Sequence, residues 1–244
     1  MRAILTYHSV DDSGSPISVD RSAFREHAAF LATGAVRVLD VPGLLAAPED
    51  AQAVALTFDD AFANFASEAW PLLRDRGLPA TLFVVSGHAG GTNDWGGRTQ
   101  RGIPTLPLLD WDALGRLAEE GVTLGAHSRT HPDLRRVDGA ALTDEVAGSA
   151  ETIRARTGRT PETFAYPYGL LDARVVAAAS GYRHACTTEM RALRGGEPPH
   201  RLPRLDAYYL RGRGRLARWG TTALAGYLRF RSAARGLRAA LGGG

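Results

Sequence analysis

Two kinds of hydrophobic pattern alternate along this chain of 244 residues. Short uninterrupted apolar runs are typical of strands buried on both faces, whereas apolar residues at every third or fourth position are typical of helices with one buried side. The predicted strands cover residues 3–7, 54–58, 80–85, 122–126, 163–166 and 184–187. The predicted helices cover residues 22–33, 64–76, 110–120, 143–157 and 172–180.

The order of these segments predicts a parallel sheet with helices packed outside it, because strands and helices alternate along the chain. About six such strand–helix units are present, which favours a barrel over an open sheet. The segment 87–109 is rich in Gly, Asn, Asp and Pro and is longer than an ordinary connection between a strand and a helix. We expect it to be a loop that borders the functional site.

Composition excludes some classes of chemistry. All 29 basic residues are arginine, so a Schiff-base lysine and a phosphate-loop lysine are both ruled out. Cys186 is the single cysteine and cannot form an internal disulfide. Neither feature indicates an oxidising compartment.

Positive charge is concentrated at the C-terminal end. Residues 211–244 contain eight arginines and no acidic residue, while the rest of the chain has 21 basic and 26 acidic side chains. We expect residues 1–210 to form one domain and residues 211–244 to form a basic helix or tail. Apolar residues recur in the tail at helical spacing. They are Leu216, Trp219, Ala223, Tyr227 and Phe230.

Four interpretations of this basic segment remain open: a solvated or disordered end, packing on the barrel or on a subunit partner, association with a membrane surface, and contact with nucleic acid. We expect no nucleic-acid partner, because no recognition motif accompanies the charge. The first residues enter a predicted strand without a secretory signal, and no apolar run is long enough to span a bilayer. These features predict a cytoplasmic protein, with peripheral membrane association left open.

Polar motifs follow several of the predicted strands directly. Asp59 and Asp60 follow one strand, and His127 and His131 follow another. In barrels of parallel strands the carboxyl ends of the strands meet on one face, so these groups should converge there. One carboxylate and two imidazoles are a common ligand set for a catalytic divalent metal with an open position for water. The second carboxylate would then be free to act as a base.

Each of these motifs is weak on its own. An Asp-Asp pair before a helix is more often a helix cap, since Asp accepts hydrogen bonds from free backbone N–H groups there. A pair of histidines four residues apart also occurs in many proteins without a metal. Their occurrence together, with Tyr166-Pro167-Tyr168-Gly169 after a third strand, favours a metal site.

This combination resembles the polysaccharide deacetylases of the NodB-homology superfamily, carbohydrate esterase family four. The three matching motifs are Thr57-Phe58-Asp59-Asp60, His127-Ser128-Arg129-Thr130-His131 and Pro167-Tyr168-Gly169. The resemblance extends from about residue 3 to residue 206 and is specific in order and spacing. Tyr7-His8-Ser9-Val10 and residues 80–85 look most like the poly-N-acetylglucosamine deacetylase branch. The resemblance implies a distorted (β/α) barrel of about seven parallel strands.

The resemblance also implies roles for individual residues. Asp60, His127 and His131 would bind a divalent metal, with Zn²⁺ as the expected ion, and Asp59 would be the catalytic base. The backbone N–H of Tyr168 would help to hold the oxyanion. The implied partner is an N-acetylated carbohydrate, from which the enzyme would release acetate and leave a free amine.

Two positions depart from the family pattern. No clear Leu-x-His motif for a general acid occurs near residues 200–206, and we hypothesise that His8 supplies or supports this function, with a structural histidine as the equal alternative. Ala165 stands where many relatives carry the arginine that orients the base. Arg204, from a later strand, is a candidate substitute, although a structural ion pair would explain it equally well.

We therefore expect a metal-dependent carbohydrate N-deacetylase. A related amide or ester hydrolase that acts on a small acylated glycoside is one alternative, and a non-catalytic carbohydrate-binding relative is another. Trp95, in the predicted loop, is a candidate platform for a sugar ring, because aromatic faces suit amphipathic ligands.

Overall fold

A computed structural model describes residues 1–97 and 102–240 of the chain. Seven parallel strands form a nearly closed barrel, and the predicted distorted (β/α) barrel is confirmed. In barrel order the strands are β10 (Arg204–Asp206), β1 (Arg2–Tyr7), β5 (Ala53–Phe58), β6 (Thr81–Val84), β7 (Thr123–Ala126), β8 (Thr163–Ala165) and β9 (His184–Cys186). A parallel bridge between Cys186 and Leu202 connects the two ends of this order.

Three short strands complete the set. Strand β4 (Arg37–Leu39) pairs with residues 53–55 of β5, and residues 57–58 of β5 pair with β6. Strands β2 (Ser9–Val10) and β3 (Ser18–Val19) pair with each other in the loop after β1. The hydrophobic pattern did not predict β2, β3, β4 or β10. Strands β2 and β3 have two residues each, too few to show a period. Strands β4 and β10 contain charged residues that interrupt an apolar run.

Barrel strands are buried on both faces, as their uninterrupted apolar runs predict. All six residues of β1 and all six of β5 are buried. A small core cluster that includes Ile4, Ala55 and Phe83 is separate from the large core under the helices. Gly125 makes room for this packing, since a Cβ at that position would lie 2.5 Å from the ring of Phe83.

Helices cover the barrel at the five places that the pattern predicts, and a further short helix, Val41–Ala46, was not predicted. The α-helices are α1 (Arg21–Leu31), α2 (Val41–Ala46), α3 (Trp70–Arg74), α4 (Trp111–Glu119), α5 (Gly139–Thr143), α6 (Ser149–Thr157), α7 (Ala173–Ala178) and α8 (Thr222–Ala240). Two predicted helices contain π-helical turns, at Phe65–Ala69 before α3 and at Asp144–Gly148 between α5 and α6. The helical run predicted at 143–157 also begins earlier, at Gly139.

The predicted loop at 87–109 is held by its own hydrogen bonds. Asn93 is buried, donates to the carbonyl of Pro104 (3.1 Å) and accepts from the N–H of Leu106 (2.7 Å). Residues 98–101 of this loop, and residues 241–244 of the predicted basic segment, lie outside the described residues. None of the described helices is long and apolar enough to cross a membrane.

Candidate metal and catalytic site

The motif loops have an unusual backbone at the carboxyl ends of the strands. Within the described residues, every non-glycine residue at positive φ lies in one of the three motif loops. These residues are Asp60, Ala61, Ser128, His131 and Tyr168. Because side chains other than glycine rarely adopt this region, the surrounding contacts must hold these loops in place.

Asp60, His127 and His131 converge at this end of the barrel. Asp60 Oδ1 lies 3.5 Å from Nε2 of each histidine, and the two Nε2 atoms are 3.2 Å apart. All three residues are buried. We refer to Asp60, His127 and His131 as the ligand triad.

The ligand triad fits a divalent cation. Asp60 Oδ1 is buried and accepts no hydrogen bond from any described residue, which is costly for a carboxylate oxygen. Its nearest polar neighbours include two imidazole nitrogens, and a carboxylate with two imidazoles is a donor set typical of zinc. A cation held between these atoms would satisfy the orphaned oxygen.

A backbone carbonyl fixes the orientation of His127. Its Nδ1 lies 2.7 Å from the carbonyl oxygen of Ala165, so Nδ1 donates and Nε2 is left as the nitrogen that faces Asp60. Partners of this kind hold metal-binding histidines in one tautomer. Ala165 thus contributes to the site through its backbone carbonyl.

Glu145 holds the loop that carries His131. Its Oε2 accepts hydrogen bonds from the backbone N–H groups of Arg129 and Thr130, both at 2.9 Å, and its Oε1 accepts from the Thr130 hydroxyl at 2.5 Å. Ser128 Oγ accepts from the N–H of His131 at 3.0 Å. This role of Glu145 could not be recognised from the sequence. A single acidic residue in a helical pattern does not indicate which backbone N–H groups, about fifteen residues away, it will bind.

Asp59 forms a bidentate ion pair with Arg204. The guanidinium donates from Nη1 to Oδ1 at 2.6 Å and from Nη2 to Oδ2 at 2.7 Å, and both residues are almost fully buried. Arg204 also donates from Nε to the carbonyl of Thr187 at 3.0 Å and from Nη1 to Thr57 Oγ1 at 3.3 Å. The arginine named as a candidate from the sequence therefore lies on both oxygens of Asp59.

The two adjacent carboxyl groups differ in electrostatic environment. Burial by itself would raise the pKa of Asp59, but the charge of Arg204 and its hydrogen bonds outweigh burial and hold this pKa well below its usual range. Burial raises the pKa of Asp60, and the opposing charges of His8, His127 and Arg204 are too weak to offset it. Burial, reinforced by His127, lowers the pKa of His131 well below its usual value, which favours the neutral imidazole that a metal needs.

His8 lies at the edge of the same pocket. Its Nε2 is 3.8 Å from Asp59 Oδ2, and its side chain keeps 25% of its surface exposed, against 3% for Asp59. It lines the pocket together with Asp59 and the ligand triad. His8, the predicted general acid, is thus more accessible to solvent than the carboxylate of Asp59 beside it.

Aromatic rings form the wall of the pocket around His131. The Trp95 ring stacks on the His131 ring with centroids 4.5 Å apart and an interplanar angle of 27°. Tyr168 meets the same imidazole edge-on at 4.6 Å. Trp95 contributes to the pocket from the loop at 87–109, as expected, and its ring also contacts a histidine of the ligand triad.

Comparisons with known proteins point to one family. A family model described as polysaccharide deacetylase matches residues 46–185. The chitooligosaccharide deacetylase of Bradyrhizobium sp. is 28% identical over 131 residues, covering 53% of this chain and 52% of that protein. The poly-beta-1,6-N-acetyl-D-glucosamine N-deacetylase of Staphylococcus aureus is 22% identical over 165 residues, covering 63% of this chain and 54% of that protein.

The structural comparison agrees with the family match on the fold. The structure of IcaB from Ammonifex degensii superposes with a TM-score of 0.71 at 20% identity, covering 89% of this chain and 96% of that one. This chain spans about half the length of the two curated relatives.

Proposed function

Since the chain belongs to the polysaccharide deacetylase family, we propose that it is a metal-dependent hydrolase that removes the acetyl group from an N-acetylated sugar. The substrate class is an oligosaccharide, a polysaccharide or a glycoconjugate, and the products are acetate and a free amine. One observation supports this proposal most directly. The buried ligand triad, with its unpartnered Asp60 oxygen, lies beside a second carboxylate that has its own cation, Arg204.

Asp60, His127 and His131 would hold the metal, and Zn²⁺ suits two imidazoles and one carboxylate. When bound, such an ion polarises an amide carbonyl and lowers the pKa of water to about 7. The chain supplies the remaining parts. His127 is oriented by the carbonyl of Ala165, and the loop of His131 is held by Glu145.

Asp59 is the proposed general base. Arg204 keeps the carboxylate of Asp59 ionised and fixes the plane of its two oxygens. The carboxylate would therefore accept the proton of the attacking water in one fixed orientation. Arg204 acts through Asp59, whose two oxygens it binds, and is therefore a positioning residue. In many family members an arginine at the position of Ala165 orients the base. The pairing of Arg204 with Asp59 supports this role for Arg204.

His8 and Tyr168 complete the proposed reaction. His8, at the exposed edge of the pocket, would donate a proton to the departing amine. The backbone N–H of Tyr168 would bind the oxyanion, and the positive φ of this residue gives its peptide plane an orientation that an ordinary strand end would not provide.

Acetate release from N-acetylglucosamine oligomers tests this function. Protein stripped of metal by a chelator should lose activity, and Zn²⁺ should restore it. Full activity in the metal-free protein would contradict the metal-dependent mechanism. Release of acetate from O-acetylated glycosides, with none from any N-acetylated saccharide, would show instead a related esterase.

A further inference from the structure

Helix α8 has two different faces. Its inner face packs on the barrel through Leu224 and Leu228, which are 1% and 5% exposed. On the same side the guanidinium of Arg231 lies 4.5 Å from the centroid of Tyr209, and Arg235 Nη1 lies 3.5 Å from Asp206 Oδ2. The inner arginines are therefore engaged with the barrel.

The outer face is apolar. Phe230 is 67% exposed and Leu237 is 62% exposed, and among the described residues Tyr168 is the only other large hydrophobic residue with such exposure. Phe230 and Leu237 are seven residues apart, which places them on one side of the helix. The exposed Ala223 extends the same stripe by a further seven residues. A continuous apolar stripe thus faces away from the core.

The segment that carries this stripe is positively charged. The chain from residue 211 onward has eight arginines and no acidic residue. Arg218, just before α8, and Arg229, within it, are exposed. A symmetric contact between two copies of this face would bring two such segments together, and like charges would oppose it. Two large apolar side chains are also far fewer than the roughly 20 residues a side of a stable dimer interface.

We propose that the outer face of α8 docks on an anionic phospholipid bilayer, with the helix lying in the plane of the interface. Phe230 and Leu237 enter the boundary of the acyl chains, and Arg218 and Arg229 contact the lipid phosphates. The helix runs from the end of the barrel where the Trp219 indole donates to the Met1 carbonyl (3.1 Å) to the end where Arg235 lies beside Asp206. Docking would therefore hold the side of the barrel that carries α8 against the lipid surface, with both ends of the barrel at a similar distance from it.

Sedimentation of the full chain with vesicles tests the proposal. Binding to phosphatidylcholine vesicles that contain phosphatidylglycerol should exceed binding to pure phosphatidylcholine at least about tenfold, because several arginines contribute about fivefold each. The double variant Phe230→Ser, Leu237→Ser should lose at least about tenfold in binding through its lost apolar area. Both side chains are exposed, so folding and acetate release from a soluble substrate should not change.

Arginine variants provide a matched control. Arg229→Gln should weaken binding about fivefold, whereas Arg159→Gln, an exposed arginine outside α8, should leave it unchanged. Equal binding to both vesicle types, or undiminished binding of the double variant, would overturn the proposal. So would a wild-type dimer in light scattering that the double variant converts to monomer, because the stripe would then be a subunit interface.

Discussion

Asp59 and Asp60 are adjacent in the chain and lie in opposite electrostatic surroundings. Both oxygens of Asp59 are bound by Arg204, and its pKa is lowered. Asp60 has one buried oxygen without a hydrogen-bond partner among the described residues, and its pKa is raised. Asp59 is paired with a cation of the chain, Arg204, whereas Asp60 could bind a cation such as the proposed metal ion.

Of the two aspartates, only Asp60 lies at positive φ. At φ 70° the backbone turns sharply after strand β5, so that neighbouring side chains do not follow the alternation of a strand. Asp59 remains against Arg204 on β10, and Asp60 turns toward the histidines that follow β7. Two identical side chains can therefore take different roles, much as paired carboxyl groups do in other hydrolases.

Exchanging each aspartate for asparagine gives the largest expected effect and separates the two roles. Asp60→Asn should lose bound metal and activity together. Asp59→Asn should retain the metal and lose activity about a hundred- to ten-thousandfold, the usual contribution of a general base. Metal content by atomic spectroscopy and acetate release measure the two quantities. Equal metal loss in both variants would remove the proposed division of roles.

Removing the cation from Asp59 should have the next largest effect. Arg204→Met leaves a buried carboxylate without its partner and should lower the free energy of unfolding by about 3–5 kcal/mol, with a loss of activity while metal is retained. Arg191 provides a matched control, since it also pairs bidentately, with Glu197, but is 23% exposed. Arg191→Met should cost about 1 kcal/mol or less. Denaturant unfolding measures the free energy of unfolding of both variants. Equal losses of stability would contradict the larger contribution expected of the buried pair.

The Arg204 pair should also shape the response to acid. Because the folded-state pKa of Asp59 lies below its ordinary value, the pair contributes stability above about pH 4 that is lost as the pH falls further. Denaturant unfolding of Arg204→Met at a series of acidic pH values should therefore show a shallower decline in stability than wild type. A decline as steep as that of wild type would mean that other carboxylates dominate acid unfolding.

The smallest expected effect is on the loop of His131. Glu145→Gln weakens the acceptor for two backbone N–H groups and should weaken metal affinity about tenfold, as changes beside metal ligands typically do. Asp144→Asn is the control, because Asp144 is the neighbouring residue and its side chain forms an exposed ion pair with Arg129. Titration of stripped protein with Zn²⁺ measures both. An unchanged affinity in Glu145→Gln would show that the loop keeps its shape without this carboxylate.

Strands that form apolar runs could be predicted from the sequence, whereas two-residue strands and strands interrupted by charged residues could not. The apolar runs of β1 and β5 have a recognisable length and composition. Strand β10 consists of Arg204, Leu205 and Asp206, and its charged residues look like a loop. An arginine is tolerated in a buried strand only because Asp59 and two oxygen acceptors meet it there.

The sequence by itself determined the order of strands and helices and the placement of three polar motifs at strand ends. Hydrophobic periodicity and covalent adjacency carry that information locally. Only the tertiary structure decided which carboxylate receives Arg204, 145 positions away, and which carbonyl orients His127. Such pairings form when the barrel brings β10 and β8 to the site, since a contact between distant residues depends on how the strands close rather than on the residues beside it.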